Sequence, residues 1–101
     1  MKIIRITYTV KSDFAQKNLE NANQFIEDLK QINDPAIRYT AYVDADGKTF
    51  NHFAVYQNEE AQKTLFALES FKSFQKQRDE HLEVQPHIEE LKLAGASYTI
   101  F

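Results

Sequence analysis

The chain has no cysteine and no tryptophan, a single methionine, two glycines and two prolines. Without cysteine it can form no disulfide, no thiolate nucleophile, no iron–sulfur cluster and no cysteine-type zinc site. Gly47 and Gly95 are too few and too far apart for a phosphate-cradling loop, so no nucleotide cofactor is expected. An excess of positive charge is also missing: 12 Lys and Arg stand against 15 Asp and Glu, a formal net charge of -3. No basic face is left to track a phosphate backbone, which argues against a nucleic-acid partner. Long apolar runs are absent as well. The opening stretch MKIIRITYTVK is broken by polar residues too early for a signal peptide or a membrane span, so the expectation is a cytoplasmic protein without a membrane.

What is present is an ordinary globular composition. Of 101 residues, 43% are hydrophobic and 27% charged, enough for one core and a single domain spanning 1–101. From Ile3 to Val10 the residues alternate, with Ile4, Ile6, Tyr8 and Val10 on one face, the period of a β-strand. Ser12 or Asp13 is positioned to cap a following helix. Ala15, Leu19, Ala22, Phe25, Ile26, Leu29 and Ile32 then recur at three- and four-residue steps, forming one apolar helical stripe that Asn33, Asp34 and Pro35 end.

Strands are expected at Ile37–Val43 and Thr49–Gln57, joined by a tight reversal at Asp46-Gly47. Asn58 should cap the next helix, with Glu59 and Glu60 in its first turn complementing the helix dipole. The stripe of Ala61, Leu65 and Leu68 changes phase near Ser70, after which Phe71, Phe74, Arg78 and Leu82 take over, so a kink or two short helices are expected before Leu82. Pro86 reads as a stop. His87 to Phe101 reads as a strand with a bend at Gly95 and a short continuation beyond it. The order strand, helix, hairpin, helix, strand is that of the ferredoxin-like βαββαβ arrangement of the α+β class, an antiparallel sheet with both helices on one face.

Helices on one face leave the other bare, yet both faces of the strands carry large apolar groups. Phe53 and Val55 alternate with Phe50, His52, Ala54 and Tyr56. Burial of both faces is expected, with a second copy of the chain covering the open one in a homodimer.

The segment TFNHFAVYQNEEAQKTLFALESFKSFQKQ, followed by a proline and HIEELKLAG, resembles the antibiotic biosynthesis monooxygenase-like group of the dimeric α+β barrel proteins. That resemblance implies a homodimer whose two sheets form a shared barrel, with a pocket between sheet and helices for a small aromatic or apolar ligand. It also implies activities such as cofactor-independent oxygenation of activated aromatic polyketides, or haem degradation. The residues that degrade haem in such relatives fall at or next to Thr7 and on Leu65 and Gln75 here, none of the required type, and a helix-borne histidine of many oxygenase-like members also falls on Leu65. No haem, and no other cofactor, is therefore expected. Tyr8, Tyr56, Leu65 and Phe74 are the candidates for the pocket wall.

Three histidines are present, His52, His81 and His87, too scattered for a metal site. His81 near a helix end and His87 after a proline suit structural or solvated roles. His52, between Phe50 and Phe53 in the middle of a strand, is the candidate catalytic residue. A buried imidazole must be hydrogen-bonded and its pKa can be moved, which suits a general base; the competing reading is a core or interface histidine paired to a carbonyl or tyrosine. Tyr8 on the neighbouring strand is a possible donor to developing negative charge, and Arg5 and Arg38 could neutralise an enolate or carboxylate. Asp44-Ala45-Asp46-Gly47 lacks the further ligands of a calcium loop and is a turn. Phe66, Phe71 and Phe74 are core before they are a cofactor box. Three functions stay open: a cofactor-free oxygenase with His52 as base, a non-catalytic ligand-binding dimer, and a structural dimer with a filled interior.

Overall fold

The computed structural model describes residues 1–101. Strand β1 (Lys2–Val10) leads through one 3-10 turn (Ser12–Phe14) into α1 (Ala15–Ile32), followed by the hairpin β2 (Ile37–Val43) and β3 (Thr49–Tyr56). Helices α2 (Glu59–Ala67) and α3 (Glu69–Asp79) then return the chain to β4 (Leu82–Leu91). The four strands form one antiparallel sheet in the order β2-β3-β1-β4, so β1 and β3 are its centre, as the ferredoxin-like order requires. Burial along β3 alternates strictly, with Phe50, His52, Ala54 and Tyr56 inside and their neighbours half-buried. The inner row packs with Tyr8 and Val10 of β1 against Phe25 of α1, Leu65 of α2, and Phe71 and Phe74 of α3.

Local chemistry explains most of the boundaries. Gly47 turns the hairpin at φ 75°, where a side chain would be strained, and Asp46 Oδ1 accepts from the backbone amides of Lys48 and Thr49. Asn58 Oδ1 accepts from the Ala61 amide at 2.9 Å, the cap expected for α2. The phase change near Ser70 is a true break: Leu68 has extended backbone, ending α2 and starting α3.

Several expectations are corrected. Neither Ser12 nor Asp13 caps α1, because both belong to the 3-10 turn that precedes it and Phe14 takes the N-cap position. The buried stripe of α1 includes Asn18 and excludes Leu19 and Ile32, which are exposed, because the helix meets the sheet along the Asn18–Ala22–Phe25 line. Leu82 begins β4 instead of ending a helix, and Pro86 does not mark the stop of the helical region, which ends at Asp79, but lies inside that strand. Thr7 pairs with His87 and Thr9 with Val84, so Gln85 and Pro86 together oppose Tyr8 in a bulge. An edge strand with a bulge is where a residue lacking an N–H is tolerated. The strand ends at Leu91, and residues 92–101 form no further strand, only an irregular tail. That tail is held at Arg38, whose Nε donates to the Ile100 carbonyl at 3.1 Å and whose guanidinium stands over the Phe101 ring.

The sheet face away from the helices carries Ile3, Arg5 and Thr7 of β1, and Phe53 and Val55 of β3. These are half-buried within one chain, and Tyr42 of β2 beside them is exposed. No helix of the fold is long and apolar enough to cross a membrane.

Candidate functional site

Between the inner face of the sheet and the two C-terminal helices lies a cavity of about 270 Å³, just below the ~300–1,000 Å³ usual for ligand sites. Its apolar wall is Ile4 and Ile6 from β1, Phe66 from α2, Phe71 and Phe74 from α3, and Ile88 at the rim on β4. Tyr39, His52, Tyr56, Gln62 and Gln75 supply the neutral polar groups. Lys2 and Arg78 complete it, so the lining holds two cations and no carboxylate. A polar depression beside it shares Lys2, Tyr56, Gln62 and Phe66 and marks the open side of the cavity.

Strand periodicity puts His52 on this wall. It is paired across from Ile6 on β1 and Ala41 on β2, and its even-numbered phase faces the helices. The ring is 1% exposed and satisfied on both sides: Nε2 lies 2.9 Å from the Tyr8 hydroxyl and Nδ1 2.7 Å from the Tyr39 hydroxyl. Asn18 Nδ2, from α1, donates to the Tyr8 hydroxyl at 2.8 Å. Burial, aided by the Arg78 charge, pushes the His52 pKa down to about 3, so the imidazole is neutral at any physiological pH. Burial raises the pKa of Tyr8 and Tyr39 and pushes Tyr56 up to about 12, so all three phenols keep their protons.

Arg78 is the functional candidate that the sequence reading passed over. It stands over the rings of Tyr8 at 5.3 Å and Phe74 at 5.5 Å. Its side chain is 11% exposed, and Asp79, itself largely exposed, accepts from its Nε at 3.0 Å. Its place on the stripe Phe71, Phe74, Arg78 was the available signal: a cation at an inward helical position is held there by something other than water.

Of the residues expected at a pocket, Tyr56, Phe74 and His52 line the cavity. Tyr8 and Leu65 do not: both are 1% exposed and packed into the core, Tyr8 lying behind His52 and Leu65 on the inward stripe of α2. Gln75 is on the wall, although it entered the sequence reading only as a missing haem ligand. Arg5 and Arg38 lie on the opposite sheet face, Arg5 paired with Glu89 and Arg38 with the C-terminal tail, so neither reaches the cavity. His81 stacks on Phe14 at 3.9 Å and bonds the Gln77 carbonyl through Nδ1, while His87 is exposed beside Glu89. No three His, Asp or Glu side chains converge as metal ligands would.

A four-stranded antiparallel sheet in ferredoxin-like order, with its helices packed on one face, is an α+β fold of the antibiotic biosynthesis monooxygenase type. Solved structures share it. An antibiotic biosynthesis monooxygenase superposes with a TM-score of 0.79 at 15% identity, over 94% of this chain and 100% of its own. Rv0793 of Mycobacterium tuberculosis matches with a TM-score of 0.78 at 15% identity, over 96% and 98%. SnoaB of Streptomyces nogalater, a cofactor-independent oxygenase, matches at 0.71 and 11% identity over 95% of both chains. At these identities what is shared is the fold. No family model and no curated protein sequence matches the chain.

Proposed function

We propose that the chain binds a small hydroxyaromatic molecule, in its anionic form, within the cavity between sheet and helices. One observation carries this reading: an apolar, aromatic-lined space of ligand size whose ionised groups, Lys2 and Arg78, are both positive. The apolar wall suits a ring, and the two charges lower the pKa of an acidic hydroxyl or carbon acid held beside them.

The same arrangement supports cofactor-free oxygenation, the activity of the structural neighbour SnoaB. A ring anion stabilised by Arg78 and Lys2 is electron-rich enough to reduce dioxygen directly. In the simplest case anthrone and dioxygen give anthraquinone and water, one oxygen atom entering the product as a carbonyl and the other leaving with the two hydrogens. His52, with its pKa pushed down to about 3, is too weak a base to drive the proton loss at neutral pH and acts as a hydrogen-bonding group instead. The cations favour ionisation.

The reading includes a homodimer. Phe53, Val55 and Tyr42 form an apolar patch on a sheet face that no helix covers, and a second copy using the same face would bury it.

The test is fluorescence titration of 1-naphthol and of anthrone onto wild type and Gln75→Trp, which fills the cavity from a half-buried wall position, together with oxygen consumption in the anthrone samples. Saturable binding by wild type, lost in Gln75→Trp, is expected. Absence of saturable binding of either compound to wild type overturns the reading; binding without oxygen consumption leaves a binding protein and removes the oxygenase.

A further inference from the structure

The four polar side chains Asn18, Tyr8, His52 and Tyr39 form one continuous hydrogen-bonded row from α1 through the sheet to the cavity. We propose that this row is polarised in one direction, so that the Tyr39 O–H points into the cavity and positions an acceptor oxygen of the ligand, with the direction set by Asn18 at the far end. The ligand part of this inference rests on the binding reading above.

The direction follows from counting protons. Asn18 is fully buried, and its Nδ2 can only donate, so at 2.8 Å the Tyr8 oxygen is an acceptor. The single Tyr8 proton then has one acceptor in reach, His52 Nε2 at 2.9 Å. In a neutral imidazole whose Nε2 accepts, Nδ1 carries the hydrogen, and the group facing it is the Tyr39 oxygen at 2.7 Å. Tyr39 is thereby an acceptor towards His52. Its own proton has no acceptor in the protein, and Tyr39 is on the cavity wall.

Asn18 is what decides between this direction and its reverse. Its Oδ1 is buried without a partner. Turning the amide over would satisfy that oxygen with the Tyr8 proton, but would strand both Nδ2 hydrogens in the core where the present orientation strands one, and an orphan buried N–H is a rarer defect than an under-satisfied carbonyl oxygen. The reversed row would have His52 donating from Nε2 and Tyr39 donating to Nδ1, and nothing would be offered to the cavity. A phenolic donor beside Arg78 selects a ring bearing a carbonyl or oxyanion over the same ring bearing only carbon.

The polarity is measured without any ligand, from the nitrogen-15 shifts and two-bond couplings of His52 in the wild-type protein. A protonated Nδ1 and an unprotonated Nε2 are expected; a protonated Nε2 overturns the proposal. Binding then tests the consequence with 1-naphthol and 1-methylnaphthalene, ligands of similar shape with and without oxygen. Tyr39→Phe is expected to weaken 1-naphthol about tenfold while leaving 1-methylnaphthalene unchanged, the size of a hydrogen bond to a charged acceptor. Asn18→Leu, remote from the cavity, is expected to weaken 1-naphthol selectively and to shift the His52 tautomer. Equal loss of both ligands in Tyr39→Phe means Tyr39 contributes packing only and overturns the positioning role. If neither ligand binds wild type while Nδ1 is protonated, the binding reading falls and the direction of the row stands.

Discussion

His52 is enclosed by Tyr8, Phe25, Tyr39 and Phe74, with both nitrogens on phenol oxygens, so a second proton has nowhere favourable to go. Its folded pKa of about 3 lies below its ordinary 6.5. Between those values the unfolded chain binds a proton that the folded chain refuses, so stability is complete above about pH 6.5 and falls as the pH drops through that window. At about pH 5 the loss amounts to ~2 kcal/mol. Thermal unfolding of wild type and His52→Gln at about pH 7.5 and pH 5 should show the wild type's advantage shrinking by that amount. An unchanged difference would mean that His52 titrates normally and is not enclosed in solution. The tautomer and ligand measurements on Tyr39 and Asn18 belong to this scale too, since each rests on one proton in one hydrogen bond.

At the scale of elements, the helices are ended by single residues with identifiable jobs. Asn33 closes α1 in the left-handed conformation, φ 56°, one of the few non-glycine types that enter it readily. Asn58 caps α2, and Asn58→Ala should lower stability by about 1 kcal/mol, read from urea unfolding. Gly47→Ala, forced to a positive φ in the hairpin although there is space for a methyl group, should cost a similar ~1 kcal/mol. Gly47 lines neither the cavity nor the depression at its open side, so 1-naphthol affinity should be unchanged in Gly47→Ala. A loss of binding in Gly47→Ala would point to coupling between the hairpin turn and the cavity.

For the whole molecule, the consequential feature is the uncovered sheet face. If two copies meet there, a charge in its centre should separate them without disturbing the helix side. Light scattering of wild type at micromolar concentration should give twice the chain mass, and Phe53→Lys the mass of one chain with its circular dichroism retained. A wild-type mass of one chain would remove the homodimer. The tail held by Arg38 borders the same face, so deleting residues 98–101 should alter the association as well.

Much of this architecture is local and was therefore readable in one dimension. Period-two alternation in Ile3–Val10 and Ile37–Val43, the Asp46-Gly47 reversal, the Asn58 cap and the phase change before Phe71 are all consequences of neighbouring residues. The resemblance of Thr49 to Gly95 to oxygenase-like proteins pointed to the same fold that the solved structures share. What failed depended on partners far along the chain. Pro86 is a stop in isolation and a bulge residue once β1 lies beside it. Asn18 looks like a solvent-facing residue until α1 docks over Tyr8, and Arg78, although on the inward stripe of α3, has no visible partner until the fold sets it over the rings of Tyr8 and Phe74. His52 was visible as an unusual strand residue, but which face it takes, that both its nitrogens meet tyrosines, and that an open space lies in front of Tyr39 are products of strand register and helix packing. Periodicity along the chain states which residues turn inward; only the distances between segments remote in sequence decide what they meet there.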